Sequence, residues 1–156
     1  MTGTRVAVAG TFGPLHDGHR RLLRTALKHG DEEVTVGLTS DAFAQASRTR
    51  EVPPFERRRT ALETALTALD EWDRDVEIRR LADEHGIVSD EPGIDALVVS
   101  PETAPELAAI NDGRRERGFE PIEGIVAPYV HADDGERISS TRIVRGEIDE
   151  HGRVRA

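Results

Sequence analysis

The feature that most constrains the fold is a strand, a glycine-containing loop and a helix that follow one another at the start of the chain. Residues 5–9 form a valine-rich apolar run that ends at Gly10, which is typical of a buried parallel strand. Residues 10–18 then form a loop, and residues 19–29 carry apolar side chains at helical spacing before Gly30. This unit predicts an α/β fold with a parallel sheet.

The same alternation continues through the rest of the chain. Apolar runs predict four further strands, at residues 34–38, 76–81, 96–99 and 122–127. Helical spacing or capping residues predict helices ending at Ala46, spanning 55–72 and 101–117, and beginning near Ser139. We therefore expect one domain over residues 1–156, a Rossmann-like open five-stranded parallel sheet with helices on both faces. Such sheets bind ligands at the carboxyl ends of their strands.

Composition excludes several classes of function. The chain has no cysteine, so it can form neither disulfides nor thiolate metal sites. Its 30 acidic and 21 basic residues give a net charge of -9, which argues against a nucleic-acid binder. With no signal-peptide layout and no apolar run near the roughly 20 residues that a membrane helix needs, we expect a soluble cytoplasmic protein. Lys28 is the only lysine, and this acidic, arginine-rich composition suggests adaptation to a high-salt cytoplasm.

The loop GTFGPLHDGH at residues 10–19 is the first candidate site. It lies where backbone N–H groups and the positive end of a helix attract phosphate. His16 and His19 are one tight turn apart, with Gly18 allowing close backbone approach, so both imidazoles could donate hydrogen bonds to a reacting phosphate. Taken alone, the two histidines could equally be an ordinary loop residue and a helix-start residue.

The segment ISSTRIVR at residues 138–145 is the second candidate site. Its hydroxyl groups and the N–H groups of the following helix form an anion site, to which Arg142 and Arg145 add positive charge. An ordinary helix cap has the same pattern. We expect the two segments to converge at one edge of the sheet, with His19 and Ser140 lining a shared cleft.

Together, the two segments resemble the HxGH nucleotidyltransferase superfamily, which carries a GTFDxxHxGH loop and an ISSTxxR element. His16, Asp17, Gly18 and His19 match the first signature. The chain departs from it at Gly13, where the family usually has aspartate. Three other stretches, VGLTSDAFA at 36–44, ALVVSPET at 96–103 and RISSTRIVRGEID at 137–149, resemble the archaeal and eukaryotic-type phosphopantetheine adenylyltransferases.

That resemblance implies transfer of AMP from ATP to 4'-phosphopantetheine with Mg²⁺ bound to the ATP, and no metal site made by the protein itself. His19 and His16 are the implied catalytic residues, with His19 stabilising the transition state and His16 on the ATP phosphates. Thr11 is implied to bind the acceptor phosphate, with Arg48 or Arg50 replacing a lysine of related enzymes. The implied ATP-binding residues are Gly10, Thr11, Phe12, His16, Gly18, His19, Ser100, Thr103, Ser139, Ser140, Thr141, Arg142 and Arg145.

Two alternatives stay open from the sequence. A sister transferase acting on nicotinamide mononucleotide, flavin mononucleotide or glycerol 3-phosphate would share the nucleotide site and differ in the acceptor pocket. A non-catalytic nucleotide-binding domain is favoured only by the missing aspartate at Gly13. The expected partners are ATP and 4'-phosphopantetheine, without nucleic acid or membrane, in a monomer or small homo-oligomer.

Overall fold

The computed structural model describes residues 4–46, 52–82, 88 and 91–155. Five strands form one sheet, and all five lie at the predicted places: β1 Arg5–Gly10, β2 Glu33–Thr39, β3 Val76–Leu81, β4 Ala96–Val99 and β5 Glu123–Val126. Every pairing is parallel, and the strand order is β3-β2-β1-β4-β5. The predicted five-stranded parallel sheet is therefore confirmed.

The strand order reverses at β1, which pairs with β2 on one side and with β4 on the other. Val6 lies beside Val34 of β2 and beside Ala96 of β4. In an open α/β sheet, the loops that leave such neighbouring strands in opposite directions open a crevice at their carboxyl ends. The loop that follows β1 therefore lies at the position where this fold places a ligand.

Among the described residues, five α-helices connect or follow the strands: α1 Asp17–His29, α2 Asp41–Ala46, α3 Phe55–Leu69, α4 Leu107–Glu116 and α5 Ser140–Val144. Predicted bounds differ from the structure at three helices. Helix α1 begins at Asp17 rather than at residue 19. Helix α3 ends at Leu69 rather than at residue 72, because the Asp70 carboxylate accepts the backbone N–H groups of Trp72 and Arg74. The predicted helix at 101–117 begins with turns and a 3-10 segment, Ala104–Glu106, which contains a proline.

Apolar side chains cover the sheet on both faces, as the sequence predicts. Val6 and Val8 of β1 pack with buried residues of α1 and α3, including Leu23 and Leu62. Ala7 points the other way and packs with Leu97, Val99, Ile110 and Ile122. The alternation within β1 gives a helical layer on each side. None of the described helices is long and apolar enough to cross a membrane.

Arg114 of α4 is a completely buried cation. Its guanidinium donates to the backbone carbonyls of Glu120, Val88 and Glu91, at 2.6–2.9 Å. Burial lowers the pKa of this guanidinium. Because a buried charge must be hydrogen-bonded, Arg114 serves to fix the loop that precedes β4.

Candidate active site

The two histidines of the first motif cap each other at the start of α1. His16 is the N-cap residue, and its Nδ1 accepts the backbone N–H of His19 at 3.3 Å. The Nδ1 atom of His19 accepts the backbone N–H of His16, also at 3.3 Å. The two rings stack with centroids 3.7 Å apart and an interplanar angle of 21°. The pair therefore forms a reciprocal capping box built from imidazoles.

This capping box fixes the tautomer of both rings. A backbone N–H can only donate, so each Nδ1 must be an unprotonated acceptor, and the proton of a neutral imidazole must sit on Nε2. Both rings then offer an Nε2–H donor. Hydrogen-bond donors of fixed orientation are the groups that stabilise negative charge developing on a phosphate.

Phe12 braces the same loop from within. It is 1% exposed and adopts a positive φ of 50°, which is rare for a bulky residue. Its ring meets His19 edge-on with centroids 5.1 Å apart. A Cβ added to Gly10 would lie 3.2 Å from the Phe12 ring, so glycine at that position leaves room for the ring. Packing on Phe12 limits how far the His19 ring can turn.

The second motif contacts the first directly. The Ser140 hydroxyl donates to the backbone carbonyl of Pro14 at 2.7 Å, across 126 residues of sequence. Ser139 caps α5 by accepting the N–H of Arg142 at 3.2 Å. The space beside Gly18 is bounded by the His16 ring and, at 4.0 Å, by the carbonyl of Ile138. The predicted convergence of the two motifs is confirmed.

The turn after β4 reaches the same end of the sheet. The hydroxyls of Ser100 and Thr103 hydrogen bond to each other at 3.1 Å, and the Thr103 hydroxyl also accepts the N–H of Ser100. Glu102 of this turn forms an ion pair with Arg137, which precedes the second motif and lies over the Tyr129 ring. The ion pair links the turn that carries Ser100 and Thr103 to the segment that leads into the second motif.

The remaining predicted cations differ in their surroundings. The Arg142 guanidinium is paired with Asp134 and Glu147, so it joins α5 to its flanking turns instead of extending freely into the cleft. Arg145 ends α5 and is exposed. Arg48 and Arg50 lie outside the described residues. Of the two arginines that the structure describes, Arg145 is the more exposed.

Sequence reasoning missed Arg58 of α3, which lies directly behind the loop. It is 1% exposed, and its NH1 is 3.1 Å from the carbonyl oxygen of Thr11 and 2.9 Å from that of Thr39. The Thr39 hydroxyl in turn donates to the Thr11 hydroxyl at 3.1 Å. Arg58 stands in a run of three arginines, but it comes three residues after Phe55 and four before Leu62, so the helical period places it on the buried face of α3.

A groove of about 580 Å³ lies on the α3 side of the loop. Phe12, Gly13, Pro14 and Leu15 form one wall, and α3 forms another. His16, His19 and Ser140 do not line this groove, so the expected cleft shared by His19 and Ser140 stays a prediction.

Comparison with known proteins agrees with this geometry. A family model described as cytidylyltransferase-like matches residues 7–146. A phosphopantetheine adenylyltransferase of Methanopyrus kandleri is 45% identical over 146 residues, which cover 94% of this chain and 91% of that protein. The chain belongs to the phosphopantetheine adenylyltransferase family. Its cytidylyltransferase-like domain contains both motifs.

One further family member and one solved structure support the assignment. The phosphopantetheine adenylyltransferase of Methanosarcina acetivorans is 43% identical over 152 residues, covering 97% of this chain and 96% of that protein. A crystal structure of an Archaeoglobus fulgidus protein of unknown function matches with a TM-score of 0.70 and 36% identity, covering 79% of this chain and 88% of that one. The family relationship therefore extends over nearly the full length of the chain.

Proposed function

We propose that this protein is a pantetheine-phosphate adenylyltransferase, which transfers AMP from ATP to 4'-phosphopantetheine and gives dephospho-coenzyme A and pyrophosphate. The observation that carries the proposal is the hydrogen bond from Ser140 to the Pro14 carbonyl. It joins the histidine loop and the serine-bearing helix into one anion-binding edge, at the point where the strand order reverses. The near full-length similarity to archaeal family members supports this acceptor.

The proposed reaction is a direct in-line displacement. A phosphate oxygen of 4'-phosphopantetheine attacks the α-phosphorus of ATP, a new P–O bond forms, and the bond from the α-phosphorus to the bridging oxygen breaks to release pyrophosphate. The attacking phosphate is already an anion at neutral pH, so no strong base is needed. His19 stabilises the transition state through Nε2–H, and His16 donates to the ATP phosphates.

The other proposed contacts follow the order of the elements around the cleft. Thr11 binds the acceptor phosphate, assisted by Arg48 or Arg50. The Ser139–Thr141 hydroxyls, the N–H groups of α5 and Arg145 hold the β- and γ-phosphates, while Ser100 and Thr103 lie on the nucleoside side. Gly10, Phe12 and Gly18 shape the loop.

We propose that Mg²⁺ enters with ATP. Within the described part of the chain, acidic and histidine side chains form no group of three or more that could hold a metal ion. We propose that triphosphate oxygens and water supply most of the ligands of the cation, as they commonly do for Mg²⁺. The chemistry supplied by Mg²⁺ in such a complex is neutralisation of phosphate charge. A single domain, a cytoplasmic location and a monomeric or small oligomeric state remain predictions.

The proposed function is tested by measuring pyrophosphate release with a panel of acceptors. Purified protein is incubated with ATP or CTP and with 4'-phosphopantetheine, nicotinamide mononucleotide, flavin mononucleotide or glycerol 3-phosphate. We expect release only with ATP and 4'-phosphopantetheine, together with dephospho-coenzyme A. Turnover of another acceptor would assign a sister transferase, and ATP binding without turnover of any acceptor would assign a nucleotide-binding domain.

The role of His19 is tested by His19→Asn. The Asn carbonyl oxygen can replace Nδ1 as acceptor of the His16 N–H, whereas the Nε2–H donor is lost. We expect kcat to fall about 100-fold or more, as for the loss of one oxyanion donor, with little change in Tm. His29→Asn, at the exposed other end of α1, is the matched control and keeps full activity. A His19→Asn enzyme with wild-type kcat would contradict the mechanism.

A further inference from the structure

Arg58 is a buried cation that hydrogen bonds to residues at the carboxyl ends of β1 and β2 and to the two segments beside them. Nε donates to the Pro53 carbonyl at 2.7 Å, and NH2 donates to the Asp41 carboxylate at 3.0 Å. NH1 lies 2.9–3.1 Å from the Thr11 carbonyl and from both oxygens of Thr39. Removing a guanidinium from water costs several kcal/mol, so a site that holds one must hydrogen bond it well. Here it ties the end of β1 to the end of β2.

The guanidinium sets the direction of a chain of two buried hydroxyls. Arg58 can only donate, so the Thr39 hydroxyl oxygen is the acceptor in that contact. The Thr39 hydrogen is donated to the Thr11 hydroxyl oxygen at 3.1 Å. The Thr11 hydrogen is thereby directed away from Thr39. Both threonines are about one-twentieth exposed, which favours a single hydrogen-bond order over exchange with solvent.

Arg58 also orients the backbone at the start of the loop. It holds the carbonyl of the peptide unit that joins Thr11 to Phe12. In a trans peptide the C=O and the following N–H point in opposite directions, and the cis bond of this loop lies elsewhere, between Gly13 and Pro14. The Phe12 N–H therefore points away from Arg58. Arg58 thus orients two donors in the loop, the Thr11 hydroxyl and the Phe12 backbone N–H.

We infer that Arg58 and Thr39 are positioning residues for the acceptor phosphate. They act through Thr11, whose hydroxyl they present as a donor to an acceptor-only, anionic oxygen. This inference rests on the proposed function and deepens it, because it names the residues that orient the proposed contact with the acceptor phosphate. Polarisation by the guanidinium along the hydroxyl chain strengthens the final donor.

Thr39→Val is the direct test, since valine keeps the shape and removes the hydroxyl. We expect the KM for 4'-phosphopantetheine to rise about tenfold, as for the loss of one hydrogen bond linked to a charged group, with kcat and the KM for ATP within about twofold of wild type. Thr39→Ser restores the hydroxyl and the wild-type KM. Thr35→Val is the matched control, because Thr35 is a buried threonine of the same strand whose hydroxyl donates to Glu33.

Three results would overturn the inference: an unchanged acceptor KM in Thr39→Val, parallel loss of kcat and both KM values, or failure of Thr39→Ser to restore the KM. If Thr39→Val does not fold, Arg58→Lys provides the same test, because an ammonium keeps the charge but cannot reach all the acceptors. We expect the same selective rise in acceptor KM, and an unchanged KM would again overturn the inference. If wild-type protein does not adenylylate 4'-phosphopantetheine, the proposed function itself fails.

Discussion

At the scale of single residues, Gly13 shows why the loop departs from the pattern that it resembles. A Cβ added to Gly13 would lie 2.6 Å from Cδ and 2.9 Å from Cγ of Arg58. These atoms cannot move aside easily, because hydrogen bonds from Nε, NH1 and NH2 hold the Arg58 guanidinium in place. The aliphatic part of the Arg58 side chain therefore occupies the space beside the loop, and the residue at position 13 must lack a side chain.

We expect Gly13→Ala to lower the free energy of unfolding by about 1–3 kcal/mol, because the added methyl group overpacks against Arg58. Gly13→Asp restores the residue usual in the family pattern, but we expect it to lower the free energy of unfolding more than Gly13→Ala does. We also expect it to raise the acceptor KM by displacing Arg58. Urea unfolding and steady-state kinetics measure both effects.

The matched control for this prediction is Gly113→Ala in α4. A Cβ there meets nothing within 4 Å, so we expect no loss of stability and a gain of up to about 1 kcal/mol from the helical preference of alanine. A Gly13→Ala protein as stable as wild type would show that the Arg58 side chain can move aside, and would contradict the explanation that Arg58 excludes a side chain at position 13.

At the scale of elements, the short helix α5 depends on charged groups in the turns around it. Arg142 pairs with Asp134 on one side and Glu147 on the other, while Ser139 caps the first turn. The hydrogen bond from Arg142 holds the pKa of the Asp134 carboxyl below its usual range, with a contribution from the backbone N–H of Glu136. Five residues alone make a poor helix, so these contacts place Ser140 against the loop.

This lowered pKa has a defined consequence for stability. A carboxyl whose pKa is lower in the folded state stabilises the protein above its unfolded pKa of about 3.9, and that stabilisation disappears as the pH falls through the folded pKa. We expect Asp134→Asn to lower Tm at pH 7, and the difference from wild type to shrink and disappear as the pH falls through the lowered pKa of the folded state. Thermal unfolding across pH 2–8 checks this, with the neighbouring exposed Asp133→Asn as control. A Tm difference that persisted unchanged into acid would contradict the ionic explanation.

At the scale of the whole molecule, the dominant property is the net charge of -9. Ion pairs such as Arg20 with Asp17 and Glu150 stabilise individual carboxylates near the loop, but they leave the net charge unchanged. Repulsion among these groups is screened over about 8 Å at 0.15 M salt but reaches about 30 Å at 0.01 M. The folded state should therefore depend on salt more than that of a protein of balanced charge.

We predict that the protein loses folded circular-dichroism signal on dialysis into low salt and recovers it when potassium chloride is restored. Addition of sucrose at matched osmolality is the control for a general solute effect, since sucrose does not screen charge. A fully folded protein in low salt would dismiss the idea of adaptation to a high-salt cytoplasm.

The sequence by itself determined the order of strands and helices and the identity of the two motifs. These features are local: valine-rich runs such as 34–38 and helical stripes such as 55–69 are visible within a few residues, and motif residues are recognised by their spacing. Helix ends were predicted less well, because an end such as Leu69 depends on which backbone groups a nearby side chain such as Asp70 accepts.

Only the tertiary structure decided which of many similar side chains act together. Arg58 and Arg142 both stand on predicted helices, yet one is buried behind the loop that follows β1 and the other is held between two carboxylates. The contact of Ser140 with Pro14 spans 126 residues. Such pairings depend on how the sheet brings distant segments to one edge, and arginines share one chemistry, so folding rather than local pattern assigns their partners.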